Sequence, residues 1–115
     1  MDRITDVYST YSVYNSVIVL HDDESSAVAA ELLLNDFPLH MFEGGDMEEI
    51  ARDMSDRKIR IVVVPCSRAP EFFRDADERM RKHISHVFFV DMDEKTDFRG
   101  WEVGWENTEL MHICT

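Results

Sequence analysis

Four groups of residues in this chain have types and spacings that could do chemistry. Asp22-Asp23-Glu24 directly follow an apolar run, and clustered carboxylates suit a hard cation such as Mg²⁺. Phosphotransfer at that cation would also need an Asp ending the third strand and a Lys ending the last. Pro65-Cys66 stand at the first position and the last strand carries no Lys, which removes phosphotransfer. Cys66 lies in a strand-to-helix turn, where backbone N–H groups can lower a thiol pKa and hold an oxyanion. A phosphate cradle on that thiol wants an Arg at the sixth residue after it, but Phe72 occupies that place and Arg74 comes two residues too late. The expectation is therefore a small thiol closing the strand. His83 and His86, with His21 or Asp91, are a candidate metal pair, but a metal needs three or four convergent ligands and only this pair is close in sequence. A solvated helix end beside a strand start is the expected role, with no metal and no cofactor. Gly44-Gly45 lacks the further glycines and the Lys of a nucleotide-binding loop.

The elements that would position these groups can be read from periodicity. Ser16 to His21 is a short apolar run of the kind that makes a strand buried on both faces. A helix over about Ser25 to Asn35 should follow, burying Val28, Ala29, Leu32 and Leu33, with acids at its start and Pro38 preventing its continuation. Leu39 to Phe42 makes a second strand. Glu43-Gly44-Gly45-Asp46 is the clearest loop, and Asp46 with Glu49 resembles a capping box. Met47, Ile50, Ala51 and Met54 then share one helical face, which Arg57 and Lys58 close. Ile59 to Pro65 is the central strand. Pro70 opens a helix with Phe72, Phe73, Ala76 and Met80 on one face, running to about Lys82. His86 to Val90 is another buried strand, followed by the acidic loop Asp91 to Glu94, an irregular stretch with Trp101 and Trp105, and a short strand near Leu110 to Cys114. Five strands alternating with three helices predict an α/β fold with a flavodoxin-like five-stranded parallel sheet and helices on both faces, short at the C-terminus. The helix that usually closes such a fold after the fifth strand is missing, so either the chain is a piece of a longer one or a partner covers that surface.

Composition narrows the classes. A chain of 115 residues is expected to be one domain, here residues 16–115 behind a polar, partly ordered leader over 1–15. In that leader Tyr8, Tyr11 and Tyr14 recur at spacing three, which suits an edge strand or phosphorylatable docking tyrosines. The net charge of −12, from 24 acids and 12 bases, disfavours nucleic acid and anionic membrane surfaces. The patch Arg79, Arg81, Lys82 and His83 remains as a local basic surface. Two cysteines far apart in sequence, Cys66 and Cys114, read as reduced cytosolic thiols. No apolar run is long enough to span a bilayer, and the N-terminus does not read as a signal peptide, so a cytoplasmic protein is expected.

The order and spacing from Ser16 to Thr115 resemble a Toll/interleukin-1 receptor (TIR) domain or its SEFIR relatives. Val17-Ile18-Val19-Leu20-His21-Asp22-Asp23 is similar to the aliphatic first box of that superfamily. Phe42-Glu43-Gly44-Gly45-Asp46, followed by Ile50 and Met54, is similar to its BB loop and the helix beyond. Ser55-Asp56-Arg57-Lys58 leads to Ile61-Val62-Val63-Val64-Pro65-Cys66-Ser67 in the way that a Ser-Arg/Lys pair leads to its third strand. Trp101 and Trp105 resemble the SEFIR version more than the TIR one. The Pro of a TIR BB loop and the Trp-Cys of its third helix are absent.

This resemblance implies a non-enzymatic domain that docks homotypically or heterotypically onto TIR-like domains in a cytosolic innate-immunity signalling complex, as an adaptor or receptor tail. A homodimer is one form this could take. The implied contact residues are Phe42, Glu43, Gly44, Gly45, Asp46 and Met47 in the BB loop, with Pro70, Phe72, Arg74 and Arg79 in the third-helix region. Phe42 and Met47 are the implied apolar anchors. Two alternatives remain. One is the NAD⁺ glycohydrolase activity of some TIR domains, for which Glu78 is the nearest catalytic candidate and Glu71 a weaker one. The other is a degenerate receiver-like module that is not phosphorylated.

Overall fold

The computed structural model describes residues 15–34, 36–90 and 108–113. Strands β1 (Ser16–Leu20), β2 (Leu39–Met41), β3 (Ile61–Pro65), β4 (His86–Val90) and β5 (Glu109–Ile113) form one five-stranded sheet in which every pairing is parallel. The expected α/β class and flavodoxin-like layering are therefore present. β1, β3 and β4 hold the centre and are apolar on both faces, as a sheet sandwiched between helices requires.

The strand order is β2-β3-β1-β4-β5. Ile61 of β3 registers with Leu39 on one side and with Ser16 on the other. Relative to the 2-1-3-4-5 order of flavodoxin, β1 and β3 have exchanged places. The chain steps one way across the sheet from β1 to β2 and the other way from β2 through β3 to β4. Right-handed crossovers then put the first helix on one face and the later helices on the other. The core divides accordingly. Helix α1 (Asp22–Leu34) packs Val28, Ala29 and Leu32 onto Ile18, Leu20, Ile61, Val63, Phe88 and Val90. Helices α2 (Met47–Ser55), α3 (Ala69–Asp75) and α4 (Glu78–Arg81) cover Val17, Val19, Val62, Val64, Val87 and Phe89 with Ile50, Met54, Phe72, Phe73 and Met80.

Several local expectations need correction. α1 begins at Asp22, three residues before Ser25, because the acids supply its first turn. Leu33 is 56% exposed and lies outside the buried stripe. α1 also ends ahead of Pro38, in a Schellman motif: Phe37 N–H donates to the Leu32 carbonyl, Asp36 N–H donates to that of Leu33, and Asp36 has φ 63°. α2 ends the same way, through Lys58 onto Asp53 and Arg57 onto Met54, with Arg57 at φ 60°. The helix expected from Pro70 to Lys82 is two helices. Ala76 turns extended at ψ 111°, and the Asp77 carboxylate caps α4 by accepting from Met80 N–H. β2 stops at Met41 and β3 starts at Ile61. The readings at Tyr8, Tyr11, Tyr14, Asp91 to Glu94, Trp101, Trp105 and Cys114 lie outside the described residues. Among the described residues no helix is long and apolar enough to cross a membrane.

Candidate functional site

The exchange of β1 and β3 brings the loop after β2 directly beside the turn after β3. A Cβ on Gly44 would lie 2.7 Å from Arg68 Nη1 and 3.2 Å from Glu71 Oε2, so this glycine is seated against the start of α3. Arg68 and Glu71 form an ion pair at 3.6 Å. Gly44 has φ 96° and Gly45 φ 76°, backbone that L side chains rarely adopt. Gly45 faces open space. The loop takes its shape from Asp46, whose carboxylate accepts from Gly44 N–H at 3.1 Å and Glu43 N–H at 3.3 Å and pairs with His40 Nε2 at 2.6 Å. Partial burial pushes the Asp46 carboxyl up. The His40 bond and the backbone N–H groups outweigh it and hold the group below its ordinary value. The expected capping box does not form, because Asp46 makes no side-chain cap bond to α2 and spends its oxygens on the loop.

The contact residues implied by the TIR resemblance separate into two sets. Phe42 is 1% exposed and Phe72 is 0% exposed, with ring centroids 5.2 Å apart in an edge-on contact. Both are core residues, because β2 runs inward at its end and Phe42 N–H bonds the Val63 carbonyl. They shape the loop from beneath and cannot touch a partner, which corrects the expectation that Phe42 is an anchor. Met47 is half-buried against the same core. Glu43, Gly45, Pro70 and Arg74 are exposed, while Gly44 and Asp46 are partly so. Arg79 falls within α4.

The other candidate chemistries meet specific geometry. Asp22 Oδ1 accepts the Ser67 N–H at 2.9 Å, linking the loops after β1 and β3. The Ser67 hydroxyl first, and then this backbone N–H, hold the Asp22 carboxyl below its ordinary value. Burial first, and then the charge of Asp22, push the Cys66 thiol up, opposite to what a thiolate nucleophile needs. His86 is buried in β4, with Nδ1 2.9 Å from Ser85 Oγ and Nε2 3.5 Å from Glu109. Among the described residues it joins no group of three ligands with His83. Glu78 is exposed in the first turn of α4, and Glu71 is held by Arg68. The cavities beside α2 are lined by residues such as Arg52, Ser55, Arg60 and His83 and do not reach Glu78.

One cluster escaped the reading of the sequence. His40, Glu49 and Asp53 bring their ligand atoms within 4.8 Å of one another, the only such group among the described residues. The signal was partly present. Glu49 and Asp53 are four apart on one helix and share a face, while strand alternation points His40 away from Leu39 and Met41. What the sequence could not show is that α2 docks this edge over β2.

No protein-family model matches the chain, and no curated protein matches it.

Proposed function

We propose that the chain is a protein–protein interaction domain that docks onto another TIR-like domain or a second copy of itself, through the face made by the Gly44-Gly45 loop and the start of α3. The observation that carries this reading is the loop itself. Glu43 and Gly45 are presented to solvent on backbone that Asp46 holds from within, and Gly44 sits against Arg68 and Glu71 at the start of the helix that carries exposed Pro70 and Arg74. A loop already ordered before binding loses little conformational freedom when a partner arrives. Glu43 brings a negative charge to this face and Arg74 a positive one that Asp75 partners at 3.0 Å, which suits register and orientation more than raw affinity. The cytosolic, adaptor-like role and the innate-immunity setting belong to the same proposal and rest on the resemblance of the boxes around Val17–Asp23, Phe42–Asp46 and Ile61–Ser67.

The test is association of the purified chain, alone and mixed with a TIR domain, followed by sedimentation over a concentration series. The parent should associate. Glu43→Arg and Arg74→Glu should each weaken association at least tenfold while circular dichroism stays unchanged, and Lys58→Glu, at the opposite end of the sheet, should leave it intact. A parent that stays monomeric and captures no TIR-like domain contradicts the proposal.

A further inference from the structure

We propose that His40, Glu49 and Asp53 form a binding site for one first-row divalent cation of the Zn²⁺ type. The inference stands apart from the docking proposal in its ligands, since none of the three is an exposed loop residue of that face, although Asp46 Oδ2 meets both His40 Nε2 and the Glu43 N–H. The site has three side chains from two elements: His40 from β2, with Glu49 and Asp53 from α2. A tetrahedral Zn²⁺ with bonds of about 2.1 Å spaces its ligand atoms about 3.4 Å apart. Atoms already within 4.8 Å of each other reach that spacing by rotamer adjustment, and Glu49 is exposed and has room to move. Two of the three are well fixed, since the His40 and Asp53 side chains are only 21% and 19% exposed.

The donor chemistry selects the ion. One imidazole nitrogen with two carboxylates suits a borderline cation that takes both N and O ligands, whereas Mg²⁺ prefers oxygen alone. Asp46 supplies the outer support that such sites use. It meets His40 through Nε2 at 2.6 Å, so Nδ1 is the ring nitrogen left to an ion. Electrostatics point the same way. Asp46, Glu49 and Asp53 gather three negative charges around one imidazole, in a chain of net charge −12. Arg52 reaches the same cluster, with Nε 4.0 Å from Asp53, and its side chain is 67% exposed. An exposed pair at that distance is weak and gives way to a coordinating dication. Three protein ligands at a solvent-facing edge strand leave the fourth position to water.

Titration of Zn²⁺ alone into the full chain, against a chromophoric chelator, tests the site. One equivalent should bind, and Zn²⁺ should raise the melting temperature of the parent with the logarithm of its free concentration above Kd. Glu49→Gln, at an exposed position that leaves the fold intact, should weaken binding at least tenfold and abolish the thermal shift. Asp53→Asn and His40→Gln should do the same, and Asp46→Asn should weaken binding about tenfold through the orientation of His40. Cys66→Ser should change nothing. Absence of saturable binding, or binding that Glu49→Gln and Asp53→Asn leave unchanged, overturns the proposal.

Discussion

Asp22 and Ser67 lie 45 positions apart in sequence, yet hydrogen bonding between them joins the loops after β1 and β3. Because the folded pKa of Asp22 is depressed, its contribution to stability is fully present above the ordinary carboxylate value and is lost as pH falls through the folded value. Denaturant unfolding between about pH 5 and pH 2 should therefore show the parent's advantage over Asp22→Asn shrinking as acid is added. A constant difference across that range would mean the pair contributes through shape alone. Phe42 and Phe72 mark the division between support and surface. Each should cost about 3–5 kcal/mol on truncation to Ala, because an edge-on aromatic pair is removed from a closed core. Chemical denaturation reads that loss, and any binding defect in Phe42→Ala reflects the fold. The two loop glycines should also differ. Ala at Gly45 meets only backbone strain, whereas Ala at Gly44 must in addition push Arg68 and Glu71 aside, so Gly44→Ala should destabilise more.

At the scale of elements, both Schellman turns place a residue with a Cβ where glycine is preferred. Arg57 at φ 60° carries this strain without the local hydrogen bonding open to Asp36, so Arg57→Gly should raise stability by about 1 kcal/mol, measured from the urea midpoint. The opposite sign would mean that the αL conformation carries no cost there. The break between α3 and α4 explains why periodicity alone described one helix. Phe72, Phe73, Ala76 and Met80 stay on a continuous apolar face and all are buried, so the pattern survives the interruption. Only the capping role of Asp77 betrays it, and Asp is common enough in this chain to pass unnoticed. The strands were readable because β1, β3 and β4 are uninterrupted apolar runs, and the buried face of α2 was readable from its spacing. The strand order was not. Exchanging β1 and β3 leaves α1 on one face and α2 to α4 on the other, so both orders demand the same hydrophobic pattern. The loop carried a clear turn signal in Gly44-Gly45, but the bonds that Asp46 makes, and its link to His40, depend on where α2 settles on the sheet.

For the whole molecule, the neighbouring placement of the loops after β2 and β3 is the consequence of strand order that matters most. It seats Gly44 against Arg68 and Glu71, so that a loop with exposed Glu43 and Gly45 lies by the start of the helix that carries exposed Pro70 and Arg74. The net charge of −12 sets the long-range field around that face. A basic partner should approach fast at low salt and slower as added salt screens beyond about 10 Å. The measurement that bears most directly on the docking account is sedimentation of the parent beside Glu43→Arg over a concentration series, with and without a TIR domain. The account predicts association by the parent and at least a tenfold loss in the variant, with equal melting temperatures. Equal association by the two, or none by the parent under either condition, would contradict it.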